Sequence, residues 1–180
     1  MSIIISAVQF NKIFYIASDK RAIRRSVVFD NYQKIYEIRP RIFYAMTGIA
    51  EEGLHLLDQI RRLENFPVTD LIAKADEAFT PSSVTLTIII AGQNESNEFF
   101  IWQKNNRGSE RRADIRDNNI AFSISANNNL QQFTSHFEKL IHSGVRVEGA
   151  IVKTIAYASG IDPSISQVYD MFKLGPKNLD

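Results

Sequence analysis

The sequence predicts an α+β chain built as a four-layer αββα sandwich: two sheets face to face, each covered by helices. Three observations carry this prediction. Apolar, β-branched runs come in pairs separated by short turns, as antiparallel hairpins do. Twice the apolar spacing changes to steps of three and four residues, and each time two helices follow in succession. The resulting order is four strands, two helices, about three strands, two helices and one strand. An alternating βαβ chain does not produce that order, whereas two helix-covered sheets do.

Ile3 to Phe10 and Ile13 to Ile16 flank Asn11-Lys12 and read as a tight hairpin of two buried strands. Arg24-Arg25, in the connection that follows, reads as a solvated turn or a contact between subunits. Lys34 to Ile38 and Ile42 to Met46 make a second strand pair around Arg39-Pro40, where a residue without an amide hydrogen suits a turn. After Gly48, the spacing of Ala50, Leu54, Leu57, Ile60 and Leu63 is helical, with Glu51-Glu52 in the first turn and Arg61-Arg62 in the last. Phe66-Pro67 ends that helix. Thr69 is placed to cap another, whose inner face takes Leu71, Ile72, Ala75, Ala78 and Phe79. Thr80 to Ser83 reads as a loop.

Val84 to Ala91 and Glu98 to Lys104 follow as strands, then a charged surface hairpin over Asn105 to Asp117 and a short strand, Ile120 to Ser125. Phe99, Phe100 and Trp102 read as two-sided burial in a strand. Asn127-Asn128-Asn129 is placed to cap a helix carrying Leu130, Phe133, Phe137, Leu140 and Ile141, which Ser143-Gly144 stops. A last helix spans about Val147 to Ser159 and ends at Gly160; Ile165 to Phe172 reads as the final strand.

Bulk properties narrow the function classes. At 180 residues, the chain is long enough for one substantial core, so residues 1–180 are expected to form a single domain. A hydrophobic fraction of 44% and a charged fraction of 23% are ordinary globular values. The net charge of +1 gives no push toward nucleic acid or an anionic membrane. With no Cys, thiolate metal sites and cysteine nucleophiles are excluded. No basic residue precedes Ile3-Ile4-Ile5, and no window reaches the roughly 18 apolar residues of a membrane span. A cytoplasmic, soluble chain is therefore expected. His55, His136 and His142 lack ligand spacing, so no metal site is expected. Walker, G-x-G-x-x-G, G-x-S-x-G and H-E-x-x-H patterns are missing from the sequence.

Four residues of the first fifty stand out as candidate chemistry. Ser2 follows the initiator Met, Asp19 ends the second apolar run, Lys34 opens the third and Gly48 ends the fourth. If they meet at one sheet edge, they make an acyl-transfer site. A serine hydroxyl needs a base, and a terminal amine freed by loss of Met1, with a pKa of ~7.7–8.0, can be one. A nearby ammonium lowers the hydroxyl's pKa, and a carboxylate holds that ammonium charged and oriented. An amide at a helix start, such as that of Gly48, favours an oxyanion. Each part also has a plainer reading. Ser after Met is commonplace, an Asp–Lys pair is more often structural, and Gly often simply turns a strand into a helix.

Several segments resemble proteasome β-type subunits of the N-terminal-nucleophile hydrolase superfamily. Ala17-Ser18-Asp19-Lys20-Arg21-Ala22 is similar to the family's Asp-x-Arg-Ala strand end, and Gln33-Lys34-Ile35 to its Lys-Lys-hydrophobic segment. Ala45-Met46-Thr47-Gly48, followed by an acidic amphipathic helix, is similar to its Ala-Gly-Gly turn and first helix. The motif likeness covers residues 2–60, and the chain's length is nearer the small bacterial ring peptidase that works with an unfoldase ATPase. The gaps from Ser2 to Lys34 and Gly48 agree with the family's, while Asp19 sits one position late.

The resemblance implies the four-layer fold and a peptidase subunit acting in a homo-oligomeric ring without a cofactor. It assigns Ser2 as nucleophile, Lys34 and Asp19 as the pair tuning it, and the Gly48 amide as oxyanion donor. Arg21 would brace the strand end, Ser125 would supply a supporting hydroxyl, Asp162 would steady the nucleophile's surroundings, and Met46 and Ala50 would flank the substrate pocket. Implied partners are like subunits, a peptide or unfolded protein substrate and a ring ATPase. Three departures are visible: Ser2 replaces the family's Thr, Ser123-Ile124-Ser125-Ala126 replaces its Gly-Ser-Gly, and Gly160 competes with Asp162 for alignment. The alternative is a non-catalytic ring or scaffold protein that retains Met1. A third reading is an amidase on small substrates.

Overall fold

A computed structural model describes residues 2–63, 66–79, 85–113 and 115–175. The expected first hairpin forms from β1 (Ile3–Gln9) and β2 (Ile13–Asp19), turned through Phe10 and Asn11 at positive φ. A short second hairpin, β3 (Ala22–Arg24) and β4 (Val27–Phe29), stands apart from both main sheets. Then come β5 (Ile35–Arg39), β6 (Ile42–Gly48), α1 (Ala50–Arg61), α2 (Val68–Ala78), β7 (Leu86–Gln93), β8 (Phe99–Asn105) and β9 (Glu110–Arg112). The chain closes with β10 (Ile120–Ala126), α3 (Leu130–His142), α4 (Val147–Ile161) and β11 (Tyr169–Leu174).

The strands assort into an antiparallel sheet of order β10-β1-β2-β11 and another of order β5-β6-β7-β8-β9. The period-2 alternation of each strand decides what it covers. On β1, Ile3, Ile5 and Ala7 join the cluster under α3 and α4, with Phe133, Phe137, Ile151 and Ile155. Ile4 and Val8 turn the other way and pack between the sheets with Phe14, Phe43, Ala45, Ile89 and Ile101. On β6, Tyr44 and Met46 face α1 and α2, beside Leu57, Ile60 and Leu71. Both faces of the central strands are therefore buried, which is why Ile3-Ile4-Ile5 is continuously apolar. Burying each such side chain contributes about 1.5–3 kcal/mol. The layer order is αββα, as expected from the sequence. Phe99 packs between the sheets, whereas Phe100 and Trp102 lie on the helix side, so that strand is buried on both faces.

Arg24-Arg25 is an exposed turn, as expected: it belongs to the β3–β4 hairpin, whose tip, Arg25 and Ser26, takes positive φ as two-residue hairpin turns require. Other local expectations are corrected. Pro67, not Thr69, is the N-cap of α2, because its fixed φ lets the helix start two residues earlier than a cap at Thr69 would. Asn129 precedes α3 in the left-handed region without a side-chain cap bond; Asn serves there for its backbone tolerance. Gly160 lies inside α4, which runs on to Ile161. The last strand begins at Tyr169, since Ile165 and Ser166 are drawn off by Asp162 and Asp19. The loop expected over Thr80 to Ser83, the start of the strand at Val84 and Met1 lie outside the described residues. Among the described residues, no helix is long and apolar enough to cross a membrane.

Candidate active site

Asp19 is the hub. It closes β2 with no solvent exposure, beside Ile3 of β1 and paired with Tyr169 of β11. At a strand end the ladder runs out, and here a carboxylate takes over from backbone acceptors. Its Oδ1 accepts the Ile3 N–H at 2.9 Å and the Lys34 Nζ at 2.8 Å. Its Oδ2 accepts the Arg21 N–H at 3.0 Å and the Ser166 N–H at 3.3 Å. One carboxylate thus fastens the start of β1, the entry to the second hairpin, the loop before β11 and the approach to β5. Bonds to an ionised group are roughly twice as strong as neutral ones.

Lys34 is only 4% exposed. Its carbonyl accepts the Met46 N–H at 3.2 Å, which ties it to β6. Burial is the largest influence on its ammonium and pushes the pKa below the ordinary lysine range; the charge and hydrogen bond of Asp19 oppose that push.

Ser2, 7% exposed, is joined directly to the Ile3 amide that Asp19 holds. By the alternation of β1 it shares parity with Ile4, on the inter-sheet side and hence toward the sheet that carries Lys34. Gly48 ends β6 at φ +109°. A Cβ there would stand 2.0 Å from the Thr85 carbonyl oxygen, so the close approach of β7 requires glycine. The residue after it, Ile49, is the N-cap of α1 and provides no side-chain cap.

The remaining expected residues divide. The Arg21 guanidinium donates to both oxygens of Asp30, at 2.5 and 3.1 Å, and to the Pro163 carbonyl at 2.6 Å. The guanidinium thus ties the exit of the second hairpin to the loop before β11, and its bond holds the Asp30 carboxyl below the usual range. Asp162 is buried, and its Oδ1 accepts the N–H and hydroxyl of Ser164, at 2.9 and 2.5 Å. It shapes the loop whose Ser166 reaches Asp19. Ser125 Oγ lies 3.0 Å from Thr47 Oγ1, a bond between the two sheets. Met46 is a core residue: its sulfur would be 2.2 Å from a Cβ on Gly53, so α1 sits directly on it. Ala50 opens α1, half-buried.

Sequence reasoning missed Thr47 and Ser166. Thr47 had a signal, since the alternation of β6 places it with Phe43 and Ala45 on the inter-sheet face. Ser166 had none, because it acts through its backbone amide.

This arrangement brings a carboxylate and an ammonium to one buried point at the head of β1, next in sequence to Ser2. A pair of that kind can tune a neighbouring hydroxyl for acyl transfer.

A family model described as proteasome subunit matches residues 3–65. That stretch contains Asp19, Lys34 and Gly48 and starts just after Ser2. The crystal structure of eukaryotic HslV from Trypanosoma brucei is similar, with a TM-score of 0.72, 11% identity, and coverage of 96% of this chain and 99% of that one. At that identity the likeness shows the fold. No curated protein matches the sequence. The chain shares a proteasome-like fold with that structure over nearly its whole length, and the resemblance to proteasome β-type subunits read from its first sixty residues is borne out by the family model over residues 3–65.

Proposed function

We propose that the chain is a proteasome-like peptidase subunit with Ser2 as its N-terminal nucleophile after removal of Met1. The free Ser2 amine takes the hydroxyl proton as Oγ adds to a peptide carbonyl carbon. The resulting oxyanion is stabilised by the Gly48 amide. Collapse breaks the C–N bond, the leaving amine takes the proton, and an ester on Ser2 remains. Water, deprotonated by the same amine, then adds to the ester and releases the acid and the free hydroxyl. Lys34, charged and held by Asp19, lowers the hydroxyl's pKa and is not consumed. No cofactor enters these steps. By the family likeness, the subunits act in a homo-oligomeric ring in the cytoplasm, fed with unfolded chains by a ring ATPase.

The observation that carries this reading is the buried Lys34–Asp19 pair at 2.8 Å, sharing its oxygen with the amide that follows Ser2. Desolvating two charges is expensive and does little for stability by itself, so a site that retains them has a use for them. A second reading, a non-catalytic ring or scaffold subunit that retains Met1, is favoured by Ser in place of Thr and by the altered Gly-Ser-Gly stretch.

Intact mass from the native host separates the two. The expected species is lighter by one Met and takes up a hydroxyl-directed electrophile such as a β-lactone, and Ser2→Ala abolishes uptake. Uniformly retained Met ends the mechanism.

A further inference from the structure

The parts of the proposed site belong to different sheets. Ser2 and Asp19 stand on the sheet of β1 and β2, whereas Lys34 and Gly48 stand on that of β5 and β6. Their spacing therefore depends on what fixes one sheet against the other. Apolar packing between sheets is non-directional and does not set a register by itself. Hydrogen bonds do, because distance and angle are both restricted. Among the described residues, the side-chain bonds that cross between the sheets toward the site include Lys34 to Asp19, Ser123 Oγ to Gln103 Oε1 at 2.6 Å, and the Thr47–Ser125 hydroxyl pair at 3.0 Å.

We propose that the Thr47–Ser125 hydroxyl pair is a positioning clasp that sets the Gly48 amide against the Ser2 hydroxyl. This rests on the peptidase reading given above. Thr47 supplies the carbonyl half of the peptide bond whose nitrogen is the Gly48 donor, so fixing Thr47 orients that amide. Ser125 pairs with Ile4, two residues along the strand from Ser2. Both hydroxyls are buried, at 1% and 3% exposure, and Thr47 shares its face of β6 with the apolar Phe43 and Ala45. Volume alone does not call for them, because Val fills the space of Thr. Their bond adds little net stability, because each hydroxyl exchanges a bond to water for the one it makes here. Its particular contribution is direction, and it acts at the peptide bond where direction matters. Neither residue touches the reacting atoms in this account; both are positioning residues.

The test uses the full-length protein, a fluorogenic peptide amide as substrate and a β-lactone as label for Ser2. Thr47→Val is expected to lower kcat by about 10–100-fold with KM nearly unchanged, less than the ~10²–10³-fold typical of losing an oxyanion donor outright. Thr47→Ser keeps the hydroxyl and restores kcat to within a few fold. Ser125→Ala, on the opposite sheet, reproduces the loss. The double variant loses no more than either single one, because both remove the same bond. If Thr47→Val fails to fold, Ser125→Ala with Thr47→Ser carries the comparison. Losses that multiply in the double variant, a Thr47→Ser as poor as Thr47→Val, or single variants with wild-type kcat overturn the clasp while leaving the peptidase reading intact. A Met1-free wild type that neither hydrolyses the amide nor takes up the lactone overturns both.

Discussion

The two ends of the inter-sheet layer are built from different materials. Far from Ser2, the sheets meet through aromatic rings: Phe14 stacks on Phe43 and Phe99, with centroids 6.1 and 6.3 Å apart, and Phe172 leans on Phe43 at 5.2 Å. Arg41, bonded to the Gly175 carbonyl at 2.5 Å, adds a polar tie at that rim. Near Ser2 the same layer is made of Ser123, Gln103, Thr47, Ser125 and the Lys34–Asp19 pair. The first end contributes most of the adhesion, since buried aromatic area is large and tolerant of small shifts. The second contributes little adhesion and much geometry. A substitution at one end should therefore move stability and at the other activity, and that division can be tested.

The largest effect is expected where the two properties meet. Asp19→Ala removes the acceptor of three backbone amides and leaves Lys34 unpaired, so it should cost about 3–5 kcal/mol and abolish Ser2 labelling. The shift in denaturant midpoint at constant m-value measures the first, and lactone uptake the second. A variant of wild-type stability would mean that Asp19 is not the hub. Phe14→Ala should cost a similar or slightly smaller ~3–5 kcal/mol, yet leave kcat of the folded protein unchanged. A fall in kcat beyond tenfold would break the division between the ends. Gly48→Ala forces a side chain onto the Thr85 carbonyl at positive φ. It should cost about 1–3 kcal/mol while lowering kcat out of proportion, seen by comparing melting with turnover.

The smallest effect concerns pH. The folded pKa of Lys34 lies below its unfolded value, so the unfolded chain binds that proton more readily. Stability linked to Lys34 is then fully present above the unfolded lysine pKa and is lost as pH falls through the folded one. Lys34→Met should flatten the rise of unfolding free energy with pH in the alkaline range, relative to wild type. Parallel pH curves for the two proteins would show that burial does not perturb this lysine.

The sequence by itself determined the layers and four candidate residues. Unbroken Ile and Ala runs state that a strand is covered on both faces, and the three-four spacing after Gly48 states a helix; both are local periodicities that packing has no reason to override. Asp19, Lys34 and Gly48 were legible because each sits at the end of such an element. The ends themselves were less legible. Pro67 and Asn129 act through backbone conformation, which composition signals only loosely, and the β3–β4 hairpin is too short to show a period. Only the tertiary structure decided which groups touch: that Ser125 meets Thr47 across the sheets, that Asp162 serves its own loop, and that the Ser166 amide reaches Asp19. Those choices depend on how one sheet lies on the other. That arrangement comes from side-chain packing summed over the whole layer together with the few polar bonds that cross it, and no single stretch of chain encodes it.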